Sequence, residues 1–394
     1  MHASGGNPIP LGDAVRQSGP LAFNLMVKPV GSACNLGCHY CYYLEKAGLY
    51  GGREPVMSEA LLERIIKDYS ESVDVPELSY VWHGGEPLLA GLAFFRKAVE
   101  LQRKYSGGRK IVNSIQTNGT LLTDEWSAFF RKNGFLVGLS LDGPRDVHDG
   151  FRRDKKGGET FDRVMRGLKI LRDHGVEFNT LSTVNCRSEG RGAEIYRFLK
   201  DAGSSYMQFL PVLEQAPDGS ITPWSVSPRA FGEFMCEVFD EWLLSDVGRV
   251  FVTLFDAILA SWCGINPGVC AFCQTCGGSP VVEHNGDVYS CDHFVTPKYL
   301  LGNIRDRSLR EMMASEEQRR FGLSKRTGLP GKCLSCEFLP ACGGECPQHR
   351  IAGTPALCEG YYHFFTHAAP AMDRMRTLLA QGRAPAEIMN FPKK

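Results

Sequence analysis

LAFNLMVKPVGSACNLGCHYC, residues 21–41, joins an apolar strand-like run to three cysteines, Cys34, Cys38 and Cys41, at x3 and x2 spacing. The strand candidate covers 21–29 and ends where the thiols begin, so metal-ligating side chains fall at a strand's carboxyl end. Parallel α/β sheets keep their ligands there. Three thiolates on one loop can hold three irons of a 4Fe–4S cube and leave the fourth iron free, as catalytic metal sites keep an open position. A zinc knuckle that borrows His39 as its fourth ligand is the alternative this spacing leaves open.

Downstream, strand-like runs at 78–83, 110–116, 135–141, 177–184 and 205–210 are rich in β-branched, aromatic and large apolar residues. Amphipathic stretches at 58–72, 92–105, 123–133, 160–174, 191–202 and 228–245 alternate with them. Ser58 and Thr123 read as N-caps, and Leu61, Leu62, Ile65 and Ile66 share one face at helical period. Six βα units in a row imply parallel strands with right-handed crossovers. The fold class is α/β, a partial (β/α)6 TIM-like barrel; an open doubly wound sheet competes on periodicity alone. The chain divides into an N-terminal extension (1–20), the barrel (21–245) and a cysteine-rich region (246–394).

The chain has 394 residues, 43% hydrophobic and 22% charged, which suits a globular protein. Lys plus Arg and Asp plus Glu are both 44, so no basic excess points to nucleic acid. Residues 1–20 lack a signal peptide's apolar run, and the apolar stretch from Val250 to Cys263 is too short to span a bilayer and contains Asp256. A cytoplasmic location with no membrane partner follows as the expectation, and there thiols stay reduced. Fifteen cysteines, most of them in short-range groups, then argue for metal or catalytic thiolates.

Polar or glycine-containing segments recur at the strand ends: His83-Gly84-Gly85-Glu86-Pro87, Gln116-Thr117-Asn118-Gly119, Ser140-Leu141-Asp142-Gly143, then Thr183, Asn185 and Gln208. Together they outline a ligand site at the barrel mouth. Past residue 246, Asn285-Gly286 sits between two apolar runs and reads as a hairpin turn. Cys270, Cys276, Cys291, Cys333, Cys336, Cys342, Cys346 and Cys358 suffice for two four-thiolate sites, iron–sulfur or zinc. Cys273 is a spare thiol near them, and Cys186, Cys236 and Cys263 read as small core residues.

The Cys34–Cys38–Cys41 triad followed by Gly-Gly-Glu-Pro resembles the radical S-adenosylmethionine (SAM) superfamily. That resemblance implies a 4Fe–4S cluster whose open iron chelates SAM for reductive cleavage to a 5′-deoxyadenosyl radical. It assigns the SAM amino group to Gly84, Gly85 and Glu86, adenine to Tyr40, and the SAM carboxylate to Ser140 and Arg152. The alternative for Arg152 is a solvated arginine in a charged run. The later cysteines resemble the SPASM extension and, with QTNGTL, GLSLDGP, TFDRVM, CDHFV and LGNI, the anaerobic sulfatase-maturating enzymes. By family wiring Cys270, Cys276, Cys291 and Cys346 hold one auxiliary cluster and Cys333, Cys336, Cys342 and Cys358 another, making three 4Fe–4S clusters. Asp292 is then the catalytic base, Tyr43 lies near substrate, and His83 stands where the family often has Gln.

The activity implied is oxidation of a sulfatase Ser or Cys to Cα-formylglycine. The substrate would be an unfolded Cys/Ser-x-Pro/Ala-x-Arg segment, with a reducing protein such as flavodoxin or ferredoxin as electron donor. Alternatives are a SPASM maturase that crosslinks another ribosomal peptide, and a zinc-binding protein without catalysis.

Overall fold

The structure, a computed structural model, describes residues 21–50, 56–216 and 218–391, so the expected extension over 1–20 lies outside the described residues. Six parallel strands form its frame: β1 Leu25–Val27, β2 Glu77–Trp82, β3 Lys110–Thr117, β4 Phe135–Ser140, β5 Phe178–Val184 and β6 Tyr206–Pro211. They lie side by side in chain order. A doubly wound sheet would reverse its order at a switch point; a sheet wound one way puts its helices on one face, as a barrel wall does. A short β7 (Phe251–Val252) adds to β6 in parallel, and the sheet's two edges do not join. The barrel is partial.

The helices start where local chemistry starts them. Ser58 accepts from the Leu61 amide ahead of helix Glu59–Ser72, and Thr123 accepts from the Trp126 amide ahead of helix Asp124–Asn133. Caps of this kind contribute about 1 kcal/mol each. Leu61, Leu62, Ile65 and Ile66 are all buried. Tyr80 packs edge-on to Tyr69, and Trp82 meets Phe94 and Phe95 of helix Leu92–Tyr105. Strand alternation therefore sends Val81 and, just past β2, His83 to the opposite, interior face, as it does Met26 and, just past β1, Lys28.

The cysteine-rich region adds its strands to the barrel sheet. Its hairpin, β8 Val281–Val282 and β9 Asp287–Tyr289, followed by β10 Leu300–Asn303, continues the barrel sheet, with β8 parallel to β1. Val282, Val288, Leu301 and Ile304 belong to the same buried cluster as the barrel strands. Helix Cys358–Ala380 packs on helix Pro228–Ser245, and their contact is glycine on glycine. A helix Arg145–Phe151 that the apolar pattern did not mark precedes Arg152. Among the described residues no helix is long and apolar enough to cross a membrane.

A Cβ on Gly360 would stand 2.0 Å from the Pro228 carbonyl oxygen. Gly360→Ala should force the two helices apart and cost roughly 1–3 kcal/mol, read as a lower urea midpoint; an unchanged midpoint would show that the crossing tolerates a methyl group.

Candidate active site

The cysteine loop is clasped by the segment after β2. The Gly85 amide donates to the Gly31 carbonyl and the Glu86 amide to that of Ala33, both at 2.8 Å. A Cβ on Gly85 would lie 2.1 Å from the Ala33 oxygen, so only glycine allows this approach. Glu86 is fully buried and accepts from the Leu88 amide, the Thr117 hydroxyl and the Asn118 amide. Burial pushes its carboxyl up to about 7. Its carboxylate thus ties β2's end to β3's, and the exposed chemistry of this segment is the Gly84–Gly85 backbone.

Asn118 donates to Asn35 at 2.9 Å and points its amide at Cys34 Sγ, 3.7 Å away. The Leu36 amide meets the same sulfur at 3.4 Å. Burial raises the Cys34 thiol to about 11 and Cys38 to about 12, and Cys41 also rises. Cys38 also feels the Cys41 and Cys34 thiols, and Cys34 feels Cys41. Such thiols ionise when a metal replaces the proton, so metal loading and proton release are coupled. Among the described residues no three ligand side chains converge as a single ion requires; corner ligands of an iron–sulfur cube need not converge on one point.

Beside the triad, Asp142 and Arg152 form a buried pair. Arg152 donates from Nε and Nη2 to the two carboxylate oxygens, both at 2.9 Å. The Tyr40 hydroxyl donates to Asp142 at 2.6 Å and the Thr183 amide at 2.8 Å. Burial alone would raise the Asp142 carboxyl, but Arg152 overrides it and holds it below its ordinary value. Arg152 is 7% exposed, not a solvated member of its charged run, and its guanidinium lies 5.6 Å from the Tyr40 ring centre. Ser140, at the end of β4, accepts from the side-chain Nε2 of Gln116 at 3.1 Å. Arg152, just past helix Arg145–Phe151, is therefore brought to Tyr40 and Cys38 of the thiol loop, while Ser140 stands at the end of the neighbouring strand β4.

Because β8 lies against β1, Asp292 reaches the barrel interior. Its carboxylate pairs with the fully buried Lys28 and accepts from the Tyr42 hydroxyl. Burial would raise its pKa, but Lys28, then His83 and His293, hold it well below the usual carboxylate range. It is an ionised acceptor. His83 Nδ1 accepts from the Gly84 amide at 2.8 Å, which leaves the ring proton on Nε2; burial pulls its pKa to about 4. Tyr43 is 2% exposed: the Lys28 ammonium lies 3.2 Å over its ring and its hydroxyl donates to Glu283. It braces Lys28 from beneath, while Tyr42 is the tyrosine that touches Asp292. Lys28, Tyr42 and Glu283 were not singled out from sequence. A lysine within an apolar strand was the available signal.

The later cysteines form two groups. Cys291 lies within electrostatic reach of Cys346 and Cys270, and Cys346 of Cys270 and Cys276. Cys333, Cys336, Cys342 and Cys358 all line one cavity of about 390 Å³ with Phe338 and Tyr361. Cys273 points to Asn266, 3.5 Å away, at the edge of the first group. Cys236 is buried, whereas Cys186 and Cys263 are half-buried.

A one-way parallel wall with an open three-thiol loop at its mouth, continued by a cysteine-rich extension, defines the class of radical SAM proteins with added iron–sulfur sites. The sequence pattern of the radical SAM superfamily matches residues 29–199, and that of an iron–sulfur cluster-binding domain matches 270–337. A serine-type anaerobic sulfatase-maturating enzyme of Bacteroides thetaiotaomicron is 48% identical over 94% of this chain and 95% of its own. A cysteine-type enzyme of Clostridium perfringens is 34% identical over 89% and 97%. The solved structure of native anSMEcpe with bound AdoMet and Cp18Cys peptide superposes with a TM-score of 0.83 at 32% identity, covering 90% of this chain and 99% of the other. The chain belongs to the family of anaerobic sulfatase-maturating enzymes.

Asp142→Ala should leave the Arg152 guanidinium buried and unpaired, destabilising the fold by about 3–5 kcal/mol. The sign with pH follows from the depressed folded value. The pair's contribution is present above the ordinary carboxylate value of 3.8 and is lost as pH falls through the folded value. Urea titrations of both proteins at neutral and acid pH check this; equal stability at neutral pH would remove the pair from the account.

Proposed function

We propose that the chain oxidises a Ser or Cys side chain of a sulfatase segment to Cα-formylglycine, with Asp292 as the proton acceptor. The observation that carries the reading is the ionised Asp292 carboxylate, held at the barrel interior by Lys28 and Tyr42 one residue from Cys291. The 48% identity to a serine-type enzyme favours Ser as the preferred substrate.

The donor sets suit three 4Fe–4S clusters: Cys34, Cys38 and Cys41 at the mouth, Cys270, Cys276, Cys291 and Cys346 beside Asp292, and Cys333, Cys336, Cys342 and Cys358 around the second cavity. With SAM bound, these groups supply a radical that removes hydrogen from a substrate Cβ, and a sink for one electron. The chain's own residues do the rest. The Gly84–Gly85 backbone, shaped by Glu86, receives the SAM amino group, Arg152 and Ser140 receive its carboxylate, and Tyr40 flanks its adenine. Asp292 takes the proton of the substrate hydroxyl as the aldehyde forms, or of the substrate thiol as a thioaldehyde forms, which water then hydrolyses to the aldehyde with loss of hydrogen sulfide. A carboxylate within hydrogen-bond reach is the base this step needs. The substrate enters as an unfolded Cys/Ser-x-Pro/Ala-x-Arg segment. A small reducing protein such as flavodoxin or ferredoxin supplies electrons, and a cytoplasmic setting keeps the thiols reduced.

Anaerobic incubation with SAM, reductant and Ser- or Cys-containing peptides tests this by mass spectrometry. Aldehyde is expected on the Ser peptide; no aldehyde on either peptide contradicts the activity. Asp292→Asn should keep SAM cleavage while formylglycine yield falls by about 10²-fold or more. Full yield in that variant would remove Asp292 from the chemistry.

A further inference from the structure

Helix Glu316–Thr327 is polar and largely exposed, yet Lys325 within it is fully buried. Its ammonium donates at 2.7 Å to the carbonyls of Cys270 and Ala271. Among the described residues it makes no ion pair with a carboxylate. The ionisable groups that face it are Cys276, Cys270, Cys346 and Cys273, with Glu345 further within electrostatic reach. Arg350 adds a second cation, bonded to the Lys325 carbonyl at 2.6 Å and acting on Cys276. Taking an ammonium out of water costs several kcal/mol unless an anion compensates. Three of the facing thiols, Cys270, Cys276 and Cys346, are ligands of the first auxiliary site, whose set of four thiolates is that anion.

We infer that Lys325 is the fixed counter-charge of the first auxiliary cluster, a positioning residue with two effects. Its hydrogen bonds pin the loop that carries Cys270. Its charge favours the cluster's reduced state, because net charge and hydrogen bonding around the sulfurs set iron–sulfur potentials. The inference rests on the ligand assignment proposed above, in which this site adjoins Asp292 through Cys291. Lys325 thereby tunes the electron sink of the oxidation without touching substrate.

The test uses full-length protein with Cys34, Cys38 and Cys41 changed to alanine, so that only auxiliary clusters contribute. Lys325→Gln keeps hydrogen-bond donors and removes the charge; Lys325→Arg keeps the charge. Iron content and redox titration followed by electron paramagnetic resonance are the readouts. In Lys325→Gln one auxiliary signal should show a reduction equilibrium lowered at least tenfold, ~59 mV for one electron, while the other signal stays. Lys325→Arg should remain within about threefold of the lysine protein. Loss of iron in Lys325→Gln with retention in Lys325→Arg supports the same role. Unchanged potentials with full iron in Lys325→Gln, or equal loss or shift in both variants, overturns it. Absence of auxiliary iron in the lysine protein itself would instead defeat the ligand assignment.

Discussion

The close backbone contact between Gly84-Gly85 and residues 31–34 is the constraint on which the site depends. Two amide bonds of 2.8 Å fasten the thiol loop to the end of β2, and the buried Glu86 fastens β2's end to β3. The cysteine loop and the ends of β2 and β3 are therefore fastened together. Catalytic constellations need placement to within about 0.5 Å, and here no side chain could intervene, because a methyl group on Gly85 would overlap the Ala33 carbonyl. The glycine pair serves this packing directly.

Charge compensation organises the rest. The interior carries Lys28 and Arg152, each buried and each matched to one carboxylate, Asp292 and Asp142. Lone buried charges would be far too costly. The pairing fixes positions as well as energies: Arg152 is steadied beside Tyr40, and Asp292 is kept ionised beside Cys291. Lys325 breaks the pattern: the ionisable groups acting most strongly on it are thiols, Cys276, Cys270, Cys346 and Cys273, and it pairs with no carboxylate among the described residues.

Much of this was legible along the chain. The N-caps at Ser58 and Thr123 form, and six of the helices and all six barrel strands fall within a few residues of their sequence limits, because period and capping are local signals. The strand order was not legible: both one-way and doubly wound sheets satisfy the same period, and long-range pairing decides between them. For the same reason the β8–β1 pairing was hidden, and with it the approach of Asp292 to Lys28, which lies 264 residues away. For Arg152 the local sequence left a solvated member of a charge run open beside the SAM-carboxylate contact that the resemblance implies, since nothing local reveals its pairing with Asp142. Family resemblance singled out Asp292; the structure adds the partners that set its charge.

The central claim is that Cys34, Cys38 and Cys41 hold an iron–sulfur cluster with an open iron for SAM. Electron paramagnetic resonance of the anaerobically purified, reduced chain, recorded before and after SAM is added, tests it most directly. One cluster signal should change on SAM addition and be missing when the three cysteines are alanine. A chain that carries zinc in place of iron, or a spectrum indifferent to both SAM and the three substitutions, would contradict the account.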